Sequence, residues 1–265
     1  MENNNASDFD AGKIMERALD IGEAMLRSGA EVMRVEDTIM RICNAYGGGT
    51  VDVFTILSLI IVSWHTKDND NLTQTRRIYS YSTDLEKLEK LNALSRYICN
   101  NKPSFEEIDE YMSGIMGENV KRISKSRMLG YVLASSAFAI FFGGNIRDGV
   151  AAGIVGFLMY FWEYLLLDYS KNRVIDTCIN SIFTGIMCIL SVYCGIGVHT
   201  DKIMIGTIMP LIPGINMTNA LRDLMSGDMI TGILRLGEAL MIAVSIAVGF
   251  ALAIMLFGRL IGMSV

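Results

Sequence analysis

The sequence has little proline and lacks the motifs of most enzymes and nucleic-acid-binding proteins. Its 265 residues include three prolines and two histidines, and its 23 basic and 28 acidic side chains give a net charge of -5. Without a basic excess or a basic segment, binding of nucleic acid is not expected. The sequence also contains no nucleophile elbow, phosphate-binding loop or CxxC pair. We therefore expect no catalytic residue, no cofactor and no metal site.

The N-terminus lacks the features of a secretory signal. Residues 1–13 are acidic and polar, whereas a signal peptide needs a basic start followed by an apolar stretch. The five cysteines are scattered along the chain, which fits a reducing compartment. We expect the first part of the chain to stay in the cytoplasm.

Charge is distributed unevenly along a chain that is unusually apolar. Hydrophobic residues make up 51% of it and the mean hydropathy is +0.38. Residues 1–127 carry 16 of the 23 basic and 20 of the 28 acidic side chains, and residues 128–265 carry only 7 and 8. This division predicts a cytoplasmic α+β domain at 1–125 and an all-α membrane domain at 126–265.

Helical and strand-like patterns alternate in the first domain. Apolar residues at helical spacing predict helices over 14–25, 35–46 and 85–98. The β-branched run 51–64 predicts a strand, and the polar segment 67–71 a turn into a second strand at 73–82. Pro103 and Ser104, with Glu107, form a capping box that predicts a further helix.

Five segments of the second domain are long enough to cross a bilayer, at roughly 128–146, 149–167, 176–198, 203–225 and 233–258. Eight basic residues flank one side of these spans: Lys121, Arg122, Lys125, Arg127, Lys171, Arg173, Arg222 and Arg235. The other side has Arg147, Lys202 and Arg259. The positive-inside rule therefore predicts a multi-pass protein of the bacterial cytoplasmic membrane with a cytoplasmic N-terminal domain.

The fourth span contains two of the three prolines. Pro210, Pro213 and Gly214 predict a break in the helix, because proline removes a backbone donor and clashes with the preceding turn. Polar side chains follow the break, and a broken helix can present them to a solute. The predicted substrate-binding residues are Pro210, Pro213, Gly214, Asn216, Thr218, Asn219 and Asp223. A purely structural re-entrant turn capped by Asn216 is the alternative.

Charged side chains within the spans are candidates for ion coupling, because they are costly in a bilayer. Glu163 and Glu238 are the predicted coupling residues, although Glu163 could instead pair with Arg173 near the cytoplasmic boundary. Glu238 could form a simple intrahelical pair with Arg235. In the first domain, Glu31, Arg34 and Glu36 surround Ser28 and Gly29, where a solvated helix start is the plain interpretation.

Two long motifs identify a family resemblance. The segments SGAEVMRVEDTIMRICNAYG at 28–47 and MPLIPGINMTNALRDLMSGDMITGILRLGEALMIAVSIAVG at 209–249 resemble the N-terminal half of the threonine/serine exporters. The resemblance extends from about residue 14 to residue 258. It implies a cytoplasmic domain, a membrane part and a second apolar half, which in the split form is a separate small membrane subunit. The odd number of spans fits that form and an oligomeric assembly.

The resemblance implies export of small amino acids such as threonine and serine, or of dicarboxylates such as succinate, driven by the membrane gradient. By matching position, Glu31, Arg34 and Glu36 belong to the first family motif, and Pro210, Pro213, Gly214, Asn219, Arg222, Asp223 and Glu238 belong to the second. From the chemistry of the side chains, we expect gating or coupling roles for Glu31, Arg34, Glu36, Glu163, Arg222, Arg235 and Glu238. Two alternatives stay open: a membrane-tethered, hydrolase-like enzyme, and a regulatory or assembly subunit of a transporter. The expected partners are the solute, the lipid bilayer and the second subunit.

Overall fold

The computed structural model describes residues 11–66, 71–79, 82–117, 124–166 and 172–258. The described chain is mostly helical, with one small three-stranded sheet. It divides into two compact units. The first contains Met1–Asn119 and Ile215–Leu236, and the second contains Val120–Gly214 and Gly237–Val265. Most of the predicted turn at 67–71 and the basic residues Lys121, Arg122, Lys171 and Arg259 lie outside the described residues.

The first unit begins with two amphipathic helices, α1 (Ala11–Arg27) and α2 (Val32–Tyr46). The helical spacing of the sequence predicted both. Their apolar faces are buried, with Met15, Leu19 and Met25 from α1 meeting Ile39 from α2 in one core. The short connection between them, Ser28–Glu31, is called the SGAE turn below.

The run 51–64 is a hairpin and not the single strand that its composition predicted. Strands β1 (Thr50–Ile56) and β2 (Leu59–His65) pair antiparallel, and β3 (Asn71–Arg77) adds to the other edge of β2. The reversal falls at Leu57 and Ser58, which are not the glycine or asparagine that usually mark a tight turn. The sequence pattern therefore did not indicate a turn within this apolar run.

Two further helices complete the N-terminal part of this unit. Helix α3 (Leu85–Asn101) starts at Asp84, whose side chain accepts the Lys87 N–H. Helix α4 (Phe105–Gly117) starts as the capping box predicted, with the Glu107 N–H donating to Ser104 Oγ at 3.3 Å. Leu91, Ile98 and Ile108 bring both helices onto the same core as Trp64.

The second unit contains α5 (Lys125–Phe141), α6 (Ile146–Leu166), α7 (Arg173–Tyr193), α8 (Thr200–Ile208) and most of α10 (Met229–Phe257). Helices α5 and α6 pack closely through glycine. A Cβ at Gly149 would lie 2.7 Å from Ile140, and one at Gly153 would lie 2.4 Å from Ser136. Larger residues would therefore push the two helices apart.

Helices α7 and α10 pack parallel to one another. A Cβ at Gly249 would lie 2.5 Å from the Ser181 Cβ, and one at Gly185 would lie 2.6 Å from the Ala253 Cβ. Within the described residues, α7 and α10 are the two helices long and apolar enough to cross a membrane by length and composition. The arrangement of five spans stays a prediction.

The helix break lies at the two prolines. Helix α8 ends at Ile208, a 3-10 turn covers Met209–Leu211, and α9 (Gly214–Met225) starts directly after Pro213. Ile212 is extended, with φ −62° and ψ 128°. A residue before proline avoids the helical region, so Pro213 ends one helix and starts the next.

Candidate functional site

The SGAE turn presents hydrogen-bond acceptors. Helix α1 ends in a Schellman motif, in which the Ala30 N–H donates to Met25 O at 3.0 Å and the Gly29 N–H to Leu26 O at 3.1 Å. Gly29 has φ +90°, a conformation that favours glycine. The motif uses the N–H groups of Gly29 and Ala30 and leaves their carbonyl oxygens available to other donors.

Helix α9 supplies donors to this turn. Asn216, Asn219 and Asp223 share one helix face, as their spacing predicted. Asn219 Nδ2 donates to Gly29 O at 3.0 Å, and Arg222 forms an ion pair with Glu31. The polar face of α9 is thus bound to the SGAE turn by a hydrogen bond and an ion pair.

A buried ion pair lies beside these contacts. Arg235, at the N-terminal end of α10, lies 3.0 Å from an Asp223 oxygen and donates to Ala30 O at 2.6 Å. Asp223 also accepts the Val32 N–H at the start of α2. Only 2% of Asp223 and 5% of Arg235 are exposed. Removing either partner would leave a buried charge without its counter-ion, which is strongly destabilising.

The remaining predicted residues of the break differ in their surroundings. The Thr83 hydroxyl donates to Asn216 Oδ1 at 3.3 Å, while Asn216 Nδ2 is buried without a hydrogen-bond partner among the described residues. Thr218 is exposed on another face of α9. Pro210, Pro213 and Gly214 shape the break and position α9.

The motif residues of α2 have three different environments. Glu31 faces α9, as described above. Arg34 donates to Asn92 Oδ1 at 3.2 Å, and Glu36 Oε1 accepts the Thr55 N–H at 2.8 Å. Burial raises the pKa of Glu36 above its ordinary value. The plain interpretation of this segment as a solvated helix start therefore fits the exposed residues Arg34, Asp37 and Arg41, and not the half-buried Glu36.

The predicted coupling carboxylates lie in the second unit. Glu163 accepts the Tyr131 hydroxyl at 2.7 Å. Glu238 lies 4.0 Å from Arg173, and its Oε2 is buried without a hydrogen-bond partner among the described residues. Arg235 pairs with Asp223, so the intrahelical pair of Arg235 and Glu238 considered above is not formed.

Sequence reasoning missed two groups of polar residues in the second unit. Asp176 and Asn180 each have a buried side-chain oxygen without a donor in the part of the chain that the structure describes. Their spacing from Arg173, at i+3 and i+7 in an apolar helix, was the available signal. Asp148 is fully buried and accepts the backbone N–H groups of Asn145, Val198 and His199 at 2.7–3.0 Å. No local pattern predicts that long-range contact.

Metal-binding geometry is not found at these positions. Among the described residues, no group of three or more His, Cys, Asp or Glu side chains could hold a metal ion. The arrangement consists instead of a proline-broken helix, a buried ion pair and a turn rich in acceptors.

The two motifs that carry this arrangement fall within one family match. Residues 16–257 match the threonine/serine exporter family, ThrE. The chain belongs to the threonine/serine exporter family. Members of this family are named as transporters and not as enzymes, so the chain is a transporter protein of the membrane.

Curated relatives of this exporter family member are distant but extend over most of the chain. A "Probable threonine/serine exporter" of Mycobacterium tuberculosis is 24% identical over 93% of this chain, which spans 47% of that relative's length. Proteins named "Probable succinate transporter subunit YjjP" are 23% identical in Klebsiella aerogenes and 22% identical in Escherichia coli. The matches cover 88% and 91% of this chain and 90% and 93% of those relatives. No solved structure matches the chain.

Proposed function

We propose that this chain is one subunit of a secondary exporter that moves small amino acids such as threonine and serine, or dicarboxylates such as succinate, out of the cell. The observation that carries the proposal is the contact between the broken helix and the SGAE turn. Asn219 and Arg222 of α9, the helix that follows the proline break, and Arg235 of α10 donate to that turn. The names of the two relatives support both solute classes.

The solute passes the break in the fourth of five spans, and the SGAE turn gates its access. Both solute classes carry a carboxylate, which has the same chemistry as the Glu31 side chain that pairs with Arg222. A solute carboxylate can therefore compete with Glu31 for the guanidinium. When the solute carboxylate replaces the Glu31 side chain at Arg222, α9 is released from the SGAE turn. Entry of the solute is thereby coupled to opening of the transport path.

Proton movement provides the driving force in this proposal. Glu238 is supported as the coupling carboxylate because one of its oxygens is buried without a hydrogen-bond donor among the described residues, and Arg173 lies 4.0 Å away. Carboxylates within membrane spans are rare and often mark ion pathways. Glu163, held by Tyr131, is the second candidate on the same route.

A separate small membrane subunit completes the path. The word "subunit" in the name of two relatives that match this chain over about nine tenths of their length supports that assembly. The N-terminal domain faces the cytoplasm in this arrangement, and the assembly is an oligomer. A regulatory or assembly role for this chain is the competing proposal, in which the partner alone holds the pathway.

Flux into proteoliposomes tests the proposal. Vesicles containing this chain and its membrane partner should transport labelled threonine, serine or succinate, and Asn219→Ala and Asp223→Asn should each abolish the flux. Asn101→Ala is the matched control, because Asn101 caps its own helix far along the sequence from the break. Undiminished flux in both variants would show that the site is elsewhere. Flux by the partner alone would establish the regulatory role.

A further inference from the structure

A cavity of about 420 Å³ lies between α2 and α3 in the first unit. Arg34 and Arg41 reach it from α2, and Arg96 reaches it from α3. Among the described residues of its wall, Asp37 is the one acidic side chain. Three guanidinium groups therefore face one carboxylate, so the cavity carries an excess of positive charge.

The contacts of the three arginines show which of them are neutralised. Arg41 pairs with Asp37 at 2.7 Å. Arg34 donates to the uncharged Asn92 side chain at 3.2 Å, and Arg96 is exposed without an ion pair among the described residues. Two cationic side chains, one from each helix, thus lie at the same cavity without an acidic partner.

We propose that this cavity binds a small organic or inorganic anion, with Arg34 and Arg96 holding it from opposite walls. A guanidinium group matches the two oxygens of a carboxylate or a phosphate and binds them with parallel hydrogen bonds. The side chains of Ser95 and Asn100 in the same wall offer further polar groups. The volume falls within the range of about 300–1,000 Å³ typical of small-molecule pockets.

This anion site is distinct from the proposed transport path. Arg34 contacts α3 through Asn92, whereas the break is fastened through Glu31, Gly29 and Ala30. Glu31 and Arg34 lie three residues apart at the start of α2, and their side chains contact different helices, α9 and α3. The anion site would therefore remain even if the chain proved to be a regulatory subunit, in which case the cavity would serve as its sensor.

Binding is measured by equilibrium dialysis of the purified full chain at low ionic strength, with labelled succinate in one arm and inorganic phosphate in the other. We expect saturable binding in at least one arm, weakened about tenfold in Arg34→Gln and in Arg96→Gln because each removes a charge-assisted pair. Arg77→Gln, on an exposed strand position, is the charge-matched control. Absence of saturable binding in both arms, or equal binding in all three variants, would overturn the proposal.

Cys99 provides a second readout that depends on neither flux nor the break. Its thiol lies in the cavity wall, and burial raises its pKa, so alkylation is followed at alkaline pH by mass spectrometry. The bound anion should slow the alkylation of Cys99 and leave that of the exposed Cys194 unchanged. Protection should persist in Asp223→Asn, which separates this site from the transport site. Loss of protection in Asp223→Asn but not in Arg96→Gln would contradict the assignment.

Discussion

At the scale of single residues, the buried ion pair of Asp223 and Arg235 is costly to desolvate and is proposed to orient α9. Their burial means that the pair is stable only while both charges and the Ala30 carbonyl are present. In some proteins a buried ion pair specifies one arrangement that an apolar pair would not. We infer that this pair helps to specify which side of α9 faces the SGAE turn.

The stability of the purified chain tests this pair. Asp223→Ala should lower the free energy of unfolding by about 3 kcal/mol, because it leaves Arg235 buried without a counter-charge. The double variant Asp223→Asn/Arg235→Gln should recover part of that loss. The exposed pair of Asp37 and Arg41 is the control, and Arg41→Gln should cost less than about 1 kcal/mol. Similar losses at the buried and exposed pairs, measured by denaturant titration, would contradict the account.

At the scale of elements, the proline break ends the helical path after α8 and allows α9 to begin. Pro213 forces Ile212 out of the helical region, and Pro210 lies in the 3-10 turn that follows α8. Together they separate α8 from α9 while the sequence on both sides remains helical. The break thus divides this stretch of the chain into two separate helices, α8 and α9.

Replacing Pro213 tests whether the break is required. Pro213→Ala removes the restriction on Ile212, so α8 and α9 should join, and export should fall by an order of magnitude or more while the protein stays folded. Circular dichroism should show equal or greater helix content. Pro103→Ala, at the start of α4, is the matched control and should leave flux unchanged. Full export by Pro213→Ala would show that the bend is dispensable.

The sequence alone predicted several of the helices and the break between α8 and α9, but not the hairpin or the long-range contacts. Periodicity predicted α1, α2 and α3, and the prolines predicted the break, because these signals are local. The hairpin at 51–64 was missed, since its turn contains no glycine or asparagine. The contact of Asn219 with Gly29 spans 190 residues, and no local pattern records a pairing of that kind. Asp176 and Asn180 were missed for a different reason, because their helical spacing from Arg173 does not show that their side-chain oxygens are buried.

The whole molecule is proposed to have one orientation in the membrane. We propose, from the distribution of basic residues, that the first domain lies in the cytoplasm and the end of α7 outside. Cys194, which follows α7, is exposed, whereas Cys43 and Cys188 are buried and Cys99 lies in the first unit. Burial raises the pKa of Cys43 to about 12, which also keeps its thiol unreactive.

Labelling of intact cells tests the orientation. A membrane-impermeant maleimide should modify Cys194 in intact cells and reach Cys99 only after permeabilisation. Cys194→Ser is the control and should abolish labelling from outside. Modification of Cys99 but not Cys194 in intact cells would invert the proposed topology.

The central claim is that export depends on the contact between the SGAE turn and α9, and the ion pair of Glu31 and Arg222 tests it most directly. Flux is measured in proteoliposomes for Glu31→Arg, Arg222→Glu and the double reversal. Each single variant places like charges together and should lose at least about fivefold in flux, equivalent to about 1 kcal/mol, whereas the double variant should recover most of it. Normal flux in both single variants, or no recovery in the double variant, would contradict the claim.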